Sequence, residues 1–282
     1  MVKRKQMEYY RHDPLAWLEE RFGEDPKSFE WTKWGCYEGH TWDGDIDPIS
    51  TAWRHAANRK WVAVESATGT GKTFWLARLV YWFLDVYEDA LVVTSAPKED
   101  QLKLNLWAEM EKEFHKFKAL RPDAGLHYLN LRVKDIKTKG DKKSLQKSWQ
   151  AVGFVAGTGA SEDSTTKARG FHRENMLIIL EECSGLHEAI INAFKNTSTG
   201  GNNIIVAVGN PNSQTDPLHQ LAISGAAEPI RISAYDFPNI VLDKEVVAGA
   251  VTRASIDRRK KEYGEDSPLF EAMVRGKSPT QS

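Results

Sequence analysis

The stretch ESATGTGKT, residues 65–73, constrains this chain more than any other. It overlaps the apolar run WVAVES (61–66) and leads into KTFWLARLVYWFLDVY (72–87), whose apolar residues recur at helical spacing. A buried strand, a glycine-bearing loop and a helix N-terminus, in that order, make a cradle for an anion. Loop and helix N–H groups converge on one point, and the helix dipole favours negative charge there. Gly69 and Gly71 let backbone approach a phosphate, Lys72 is placed to reach the β- and γ-phosphates, and the Thr73 hydroxyl is placed to bind Mg2+. The usual G-x-x-x-x-G-K-[ST] pattern has glycine where Ser66 stands. A small side chain fits that position, so the expectation is a working site for ATP and Mg2+ built from Ser66, Ala67, Thr68, Gly69, Thr70, Gly71, Lys72 and Thr73.

The rest of the chain supplies the setting. ALVVTSA (90–96), MLIILEE (176–182) and NNIIVAVGNP (202–211) are short apolar runs separated by helical patterns. That alternation predicts an α/β fold, a mainly parallel sheet flanked by helices on both faces. KEDQLKLNLWAEMEKEFHKF (98–117) reads as one long amphipathic helix, LHYLNLRV (126–133) as strand-like, and SWQAVGFVAG (148–157) as a further apolar run. Residues 1–45, rich in Trp, Tyr and charge, are expected to be an N-terminal extension packed on a core domain of residues 46–275. Residues 276–282 are expected to begin a linker.

Two acids follow the run LIIL. Glu181 and Glu182 stand at the C-terminal end of a strand, where a phosphate-loop hydrolase needs one carboxylate beside the metal and another to polarise the attacking water. Glu181 takes the first role and Glu182 the second. The next run ends in Gly209, Asn210 and Pro211, where the Asn210 amide can contact the γ-phosphate or the water, or simply build a turn.

Taken together, ESATGTGKT, TSAPKEDQLKLNLWAEM, ARGFHRENMLIILEECSG, IIVAVGNPN and YGEDSPLFEAMVRGKSP resemble the ATPase domain of the large terminase subunit of tailed bacteriophages. The resemblance spans about residues 47 to 280. It implies a RecA-like P-loop ATPase that couples ATP hydrolysis to translocation of double-stranded DNA into a procapsid. It also implies a homo-oligomeric ring, a portal protein and a small terminase subunit as partners, and the host cytoplasm as location, with transient docking on the procapsid. In that family an RNase-H-like nuclease follows the ATPase. Here only Asp266 and Glu271 remain as acids after residue 265, so nuclease activity is not expected from this chain.

The resemblance also places a trans-acting arginine near TKARGFH. Arg169, expected in a Gly-flanked loop, is the candidate finger, with Arg173 next. Lysines crowd residues 134–147, and Lys137, Lys139, Lys142 and Lys143 are the candidate contacts to DNA phosphates. A second basic patch holds Arg253, Arg258, Arg259, Lys260 and Lys261, although the net charge of −1 gives a polyanion partner no global support. Trp53, Arg54 or His55 are placed to line the base pocket. Two cysteines at unrelated positions argue against a disulfide framework or metal site, and no run approaches a membrane-spanning length. A helicase-like translocase shares the loop and acids but needs a second RecA-like domain. A non-hydrolysing module would not need a carboxylate at position 182.

Overall fold

Asp47 opens the regular part of the chain. Its carboxylate accepts the Ser50 N–H at 2.7 Å, Pro48 takes the first helical position, and α3 (Pro48–Ala57) follows. The structure, a computed structural model, describes residues 2–26, 34–35, 47–134, 149–156 and 161–280. Before α3 lie α1 (Val2–His12) and α2 (Pro14–Glu20). After it come β1 (Trp61–Ser66), α4 (Lys72–Val86) and β2 (Leu91–Ala96).

The long helix expected from residue 98 is present but not uniform. It consists of α5 (Glu99–Gln101), a π-helical stretch (Leu102–Trp107) and α6 (Ala108–Leu120). The wider turn rotates Leu102, Leu106 and Trp107 inward together, while Leu104 stays exposed. Trp107 then donates its indole N–H to Thr94 Oγ1 on β2 at 2.9 Å, an anchor that a regular α-helix would aim elsewhere. The strand-like run at 126–133 is a tight hairpin, β3 (Gly125–His127) and β4 (Asn130–Arg132), reversing at Tyr128 and Leu129. Leu129 takes φ 45° there. Pairing of β4 with β5 (Gln150–Val155) outweighs the apolar continuity of the sequence.

The chain continues through α7 (Glu162–Arg169), β6 (Asn175–Leu180), α8 (Glu188–Thr197), β7 (Asn202–Gly209), α9 (Pro217–Ile223) and β8 (Ala227–Ile232). It ends in α10 (Pro238–Val241), α11 (Arg253–Tyr263) and α12 (Pro268–Met273). The described strands form one sheet in the order β3-β4-β5-β2-β6-β7-β1-β8. From β5 to β8 all neighbours are parallel. Edge strand β8 contains Pro229, which lacks a donor and is tolerated where β1 is the sole ladder neighbour.

Alternate strand residues feed two cores. Val62, Val64, Leu177, Ile179, Ile204 and Val206 face the side of α4 and α6. Ala63, Met176, Ile178, Leu180, Ile205 and Ala207 face the side of α8 and α9. The N-terminal helices are fastened to α4. Asp85, with a fully buried side chain, accepts from Trp17 Nε1 at 2.8 Å, Arg21 Nε at 2.6 Å and Arg121 Nε at 2.8 Å. Arg78, also buried, pairs with Glu24 on one side and with Glu109 on α6 on the other. Trp82 Nε1 donates to Tyr10 O at 2.8 Å.

Candidate nucleotide site

The loop after β1 owes its shape to two glycines and three hydroxyls or carbonyls. Gly69 and Gly71 have φ 78° and 81°, values that side-chain-bearing residues rarely adopt, and Gly71 caps α4. Ser66 needs no such freedom. It is the last residue of β1, fully buried, with its hydroxyl 2.6 Å from Thr70 Oγ1. Both hydroxyls also reach the Ala67 carbonyl, at 3.2 Å from Ser66 and 2.9 Å from Thr70. A serine in the customary glycine position therefore ties the loop from within.

The loop is also held from outside. The Ala67 N–H donates to Ile232 O at 2.8 Å and the Thr68 N–H to Met273 O at 2.9 Å, so one amide is engaged by the end of β8 and the other by the end of α12. Gly69 O accepts from Val251 N at 2.8 Å. Gly276 has φ 59°, and a Cβ there would lie 2.3 Å from Ile232 O and 3.0 Å from Ala67 N. Ser278 and Pro279 are buried, and Gln214 Nε2 donates to Ser278 O at 3.0 Å. Residues 276–280, expected to begin a linker, are thus packed against the domain.

Lys72 opens α4 and donates to the Ala67 carbonyl at 3.3 Å. Burial holds its ammonium below the ordinary lysine value, while Glu182 and then Glu181 pull it back up. These carboxylates follow β6, and β7 lies between β6 and β1. The sheet order therefore sets the acids and the lysine on either side of the end of β7. Asn210 stands at that end, buried, donating Nδ2 to Ser66 O at 2.7 Å and to Thr68 Oγ1 at 3.3 Å. The sequence reading of Asn210 as a contact and as a turn builder meets a third arrangement, a strut between β7 and the loop.

Glu181 is 5% exposed, and its Oε2 has no hydrogen-bond partner among the described residues. Burial, with Glu182 adding repulsion and Lys72 opposing it, pushes its carboxyl up to about 8. A buried, orphaned acid facing an ammonium across a phosphate loop fits a position that a cation completes. Among the described residues no group of three His, Cys, Asp or Glu side chains could hold a metal alone. A metal here would share its shell with the Thr73 hydroxyl and phosphate oxygens. Glu182 adopts φ 47°, a left-handed conformation that turns the chain sharply after Glu181.

A cleft of about 480 Å3 adjoins the loop, lined by Gly69, Thr70, Gly71 and Phe74 on one side and by Phe237, Pro238 and residues 246–250 on the other. Asn239 organises the outer wall. Its side chain accepts from Val246 N at 2.9 Å and Val247 N at 2.8 Å, and donates to Val247 O at 2.9 Å and Val251 O at 3.1 Å. Sequence reasoning assigned the base pocket to Trp53, Arg54 or His55, but Trp53 is fully buried in the core and Arg54 is exposed. From α3 only Ile49 reaches the cleft. Phe74, one residue beyond the loop, was the local signal for it. The wall at 237–250 carries none, because it meets the loop only through the fold.

Arg169 is not in a loop. It is the last residue of α7, a helix capped by Ser161 accepting from Ser164 N at 3.1 Å, with Glu162 and Asp163 in its first turn and Lys167 and Arg169 in its last. That pattern in SEDSTTKAR is a regular helix signal that the flanking glycine obscured. Arg169 is exposed and precedes β6, while the acids follow it, so it lies toward the opposite end of the sheet from Lys72. Arg173 is half-buried just before β6. Lys137, Lys139, Lys142 and Lys143 lie outside the described residues. No described helix is long and apolar enough to cross a membrane.

No family model matches the chain. Over 277 residues it is 24% identical to the probable terminase large subunit of Enterobacteria phage P7, covering 96% of this chain and 49% of that protein. The chain thus spans about half the length of the curated relative it matches. Its structure is similar to that of the large terminase from a thermophilic bacteriophage in complex with ADP, with TM-score 0.55, 12% identity and coverage of 81% of this chain and 51% of that one. It is also similar to the large terminase ATPase domain of Thermus phage P74-26, with TM-score 0.53, 13% identity and coverage of 78% and 89%. The chain thus has an α/β fold similar to that of phage large-terminase ATPase domains, and its sequence resembles a large terminase subunit along almost its whole length.

Proposed function

We propose that this chain is the Mg2+-dependent ATP-hydrolysing motor domain of a viral large terminase, acting on double-stranded DNA in the host cytoplasm while docked on a procapsid. The observation that carries the reading is the meeting of Lys72, Glu181 and Glu182 around the end of β7. Lys72 and the loop amides from Gly69 onward hold the phosphates. Thr73 and Glu181 would hold the metal, which when bound would supply charge neutralisation at the phosphates. Glu182 orients the attacking water and takes its proton, and Asn210 couples the state of the loop to β7. The cleft beside Phe74 takes the base and ribose.

An arginine from a neighbouring copy completes the site in a homo-oligomeric ring. Arg169 is the candidate because it is exposed and precedes β6, away from its own loop, where a neighbouring copy can meet it. The lysines at 137, 139, 142 and 143 meet DNA phosphates without reading bases, and the portal protein and small terminase subunit are the assembly partners.

Glu182→Gln and Arg169→Ala test the roles together. Glu182→Gln should lower ATP turnover by about 10²–10⁴-fold while nucleotide still binds. Arg169→Ala should lose the turnover stimulated by DNA and procapsid yet bind nucleotide normally. Full turnover in Glu182→Gln sinks the hydrolytic reading, and full stimulated turnover in Arg169→Ala removes the trans role. DNA affinity measured against salt should fall less steeply once the four lysines are neutralised, and an unchanged slope argues against their contact.

A further inference from the structure

The basic run Arg258, Arg259, Lys260, Lys261 is not uniform in the fold. α11 begins with a reciprocal cap, Thr252 accepting from Ser255 N at 3.2 Å and Ser255 accepting from Thr252 N at 3.1 Å. Ile256, 3% exposed, pins one face of the helix to the core. Arg259 is three residues further on and shares that face, whereas Arg258, Lys260 and Lys261 are exposed. The flanking segments are bolted to the phosphate loop at both ends, by Val251 N to Gly69 O and by Thr68 N to Met273 O, each near 2.8–2.9 Å.

Two acids beyond the end of this helix are engaged by other cations. Glu265 pairs with Lys260 and Arg275, and Glu271 with Arg275 and Lys277. Arg259 Nη1 is buried with no hydrogen-bond partner among the described residues. Its charge is near enough to Lys72 for the two cations to repel. Repulsion between two partly buried cations, one with an unsatisfied donor, is a standing cost that an anion placed between them removes. Arg259 does not line the cleft beside Phe74, and the flanks of its helix are hydrogen-bonded to Gly69 and Thr68 of the loop.

We propose that Arg259 is a second, cis-acting phosphate ligand, donating from the C-terminal segment to the terminal phosphate of the nucleotide that Lys72 holds from the loop. The inference rests on the nucleotide reading above and extends it. Lys72 and Arg259 would both hold the terminal phosphate, so its loss would free the Arg259 side chain while the backbone hydrogen bonds at the flanks of α11 keep that segment on the loop. Arg259 is thereby a sensor of the third phosphate built into the same chain.

Binding of fluorescent ADP and of ATP-γ-S, each with Mg2+, separates the possibilities in the full chain. Arg259→Ala should weaken ATP-γ-S binding about tenfold or more while ADP binding stays within about twofold, and Arg259→Lys should recover part of the loss. Arg258→Ala should bind both as the wild type does. The ligand-free melting temperatures of the variants should match. Equal loss for ADP and ATP-γ-S, no loss for either, or a loss that follows a lowered melting temperature overturns the assignment while leaving the nucleotide site intact. If the wild type binds neither nucleotide, or Lys72→Ala binds both normally, both readings fall.

Discussion

At the scale of single residues, Glu181 joins stability to chemistry. Burial lifts its carboxyl from 4.5 to about 8, so the folded chain keeps a proton that the unfolded chain gives up. Its contribution is fully present below the unfolded value and is lost as pH rises through about 8. Urea midpoints of the ligand-free protein measured from about pH 5 to 8.5 should therefore fall less with pH in Glu181→Gln than in the wild type. Parallel curves would show that the acid is not held protonated. Ser66 offers the complementary lesson. The sequence showed it as a departure from a pattern, yet its type was informative, since a hydroxyl can tie a loop that glycine can only permit.

Among the elements, those whose signals are local were legible from the sequence. β1, α4 and β6 stand where apolar runs and helical spacing put them, because each is buried along its length and its pattern cannot serve another structure. The elements misread are those settled by neighbours distant in sequence. β8, with Pro229 at a position that an edge strand admits, drew no reading, and the hairpin at 125–132 was read as one strand because its turn at Tyr128 and Leu129 lies inside an apolar run. Where the N-terminal helices dock shows the same dependence: Asp85, on α4, gathers two arginines and an indole to hold them. Asp85→Ala should cost about 2–3 kcal/mol in chemical denaturation, less than a wholly buried pair because Arg21 and Arg121 reach solvent. A change under about 0.5 kcal/mol would mean that apolar contacts alone fasten the extension.

For the molecule as a whole, the site arises from strand order. Residues 72 and 181 are joined by the placement of β7 between β1 and β6, which the sequence could suggest only by resemblance to proteins already built that way. The outer wall of the cleft and the arginine of α11 come from the last sixth of the chain, and nothing in their local composition announces where they fold back. Gly276 lies where that return path passes beneath the loop. Gly276→Ala, with its methyl aimed at Ile232 O, should cost about 2–3 kcal/mol and weaken nucleotide binding in parallel. Unaltered affinity in a destabilised variant would separate the strap from the site.

That route through the fold has a mechanical meaning. Because the polypeptide at residues 273–276 is hydrogen-bonded or wedged against the amides of Ala67 and Thr68, a pull along it has almost no slack to take up before the phosphate cradle itself is strained. Whatever grips this strand of chain holds a lever whose short arm is the loop that opens α4.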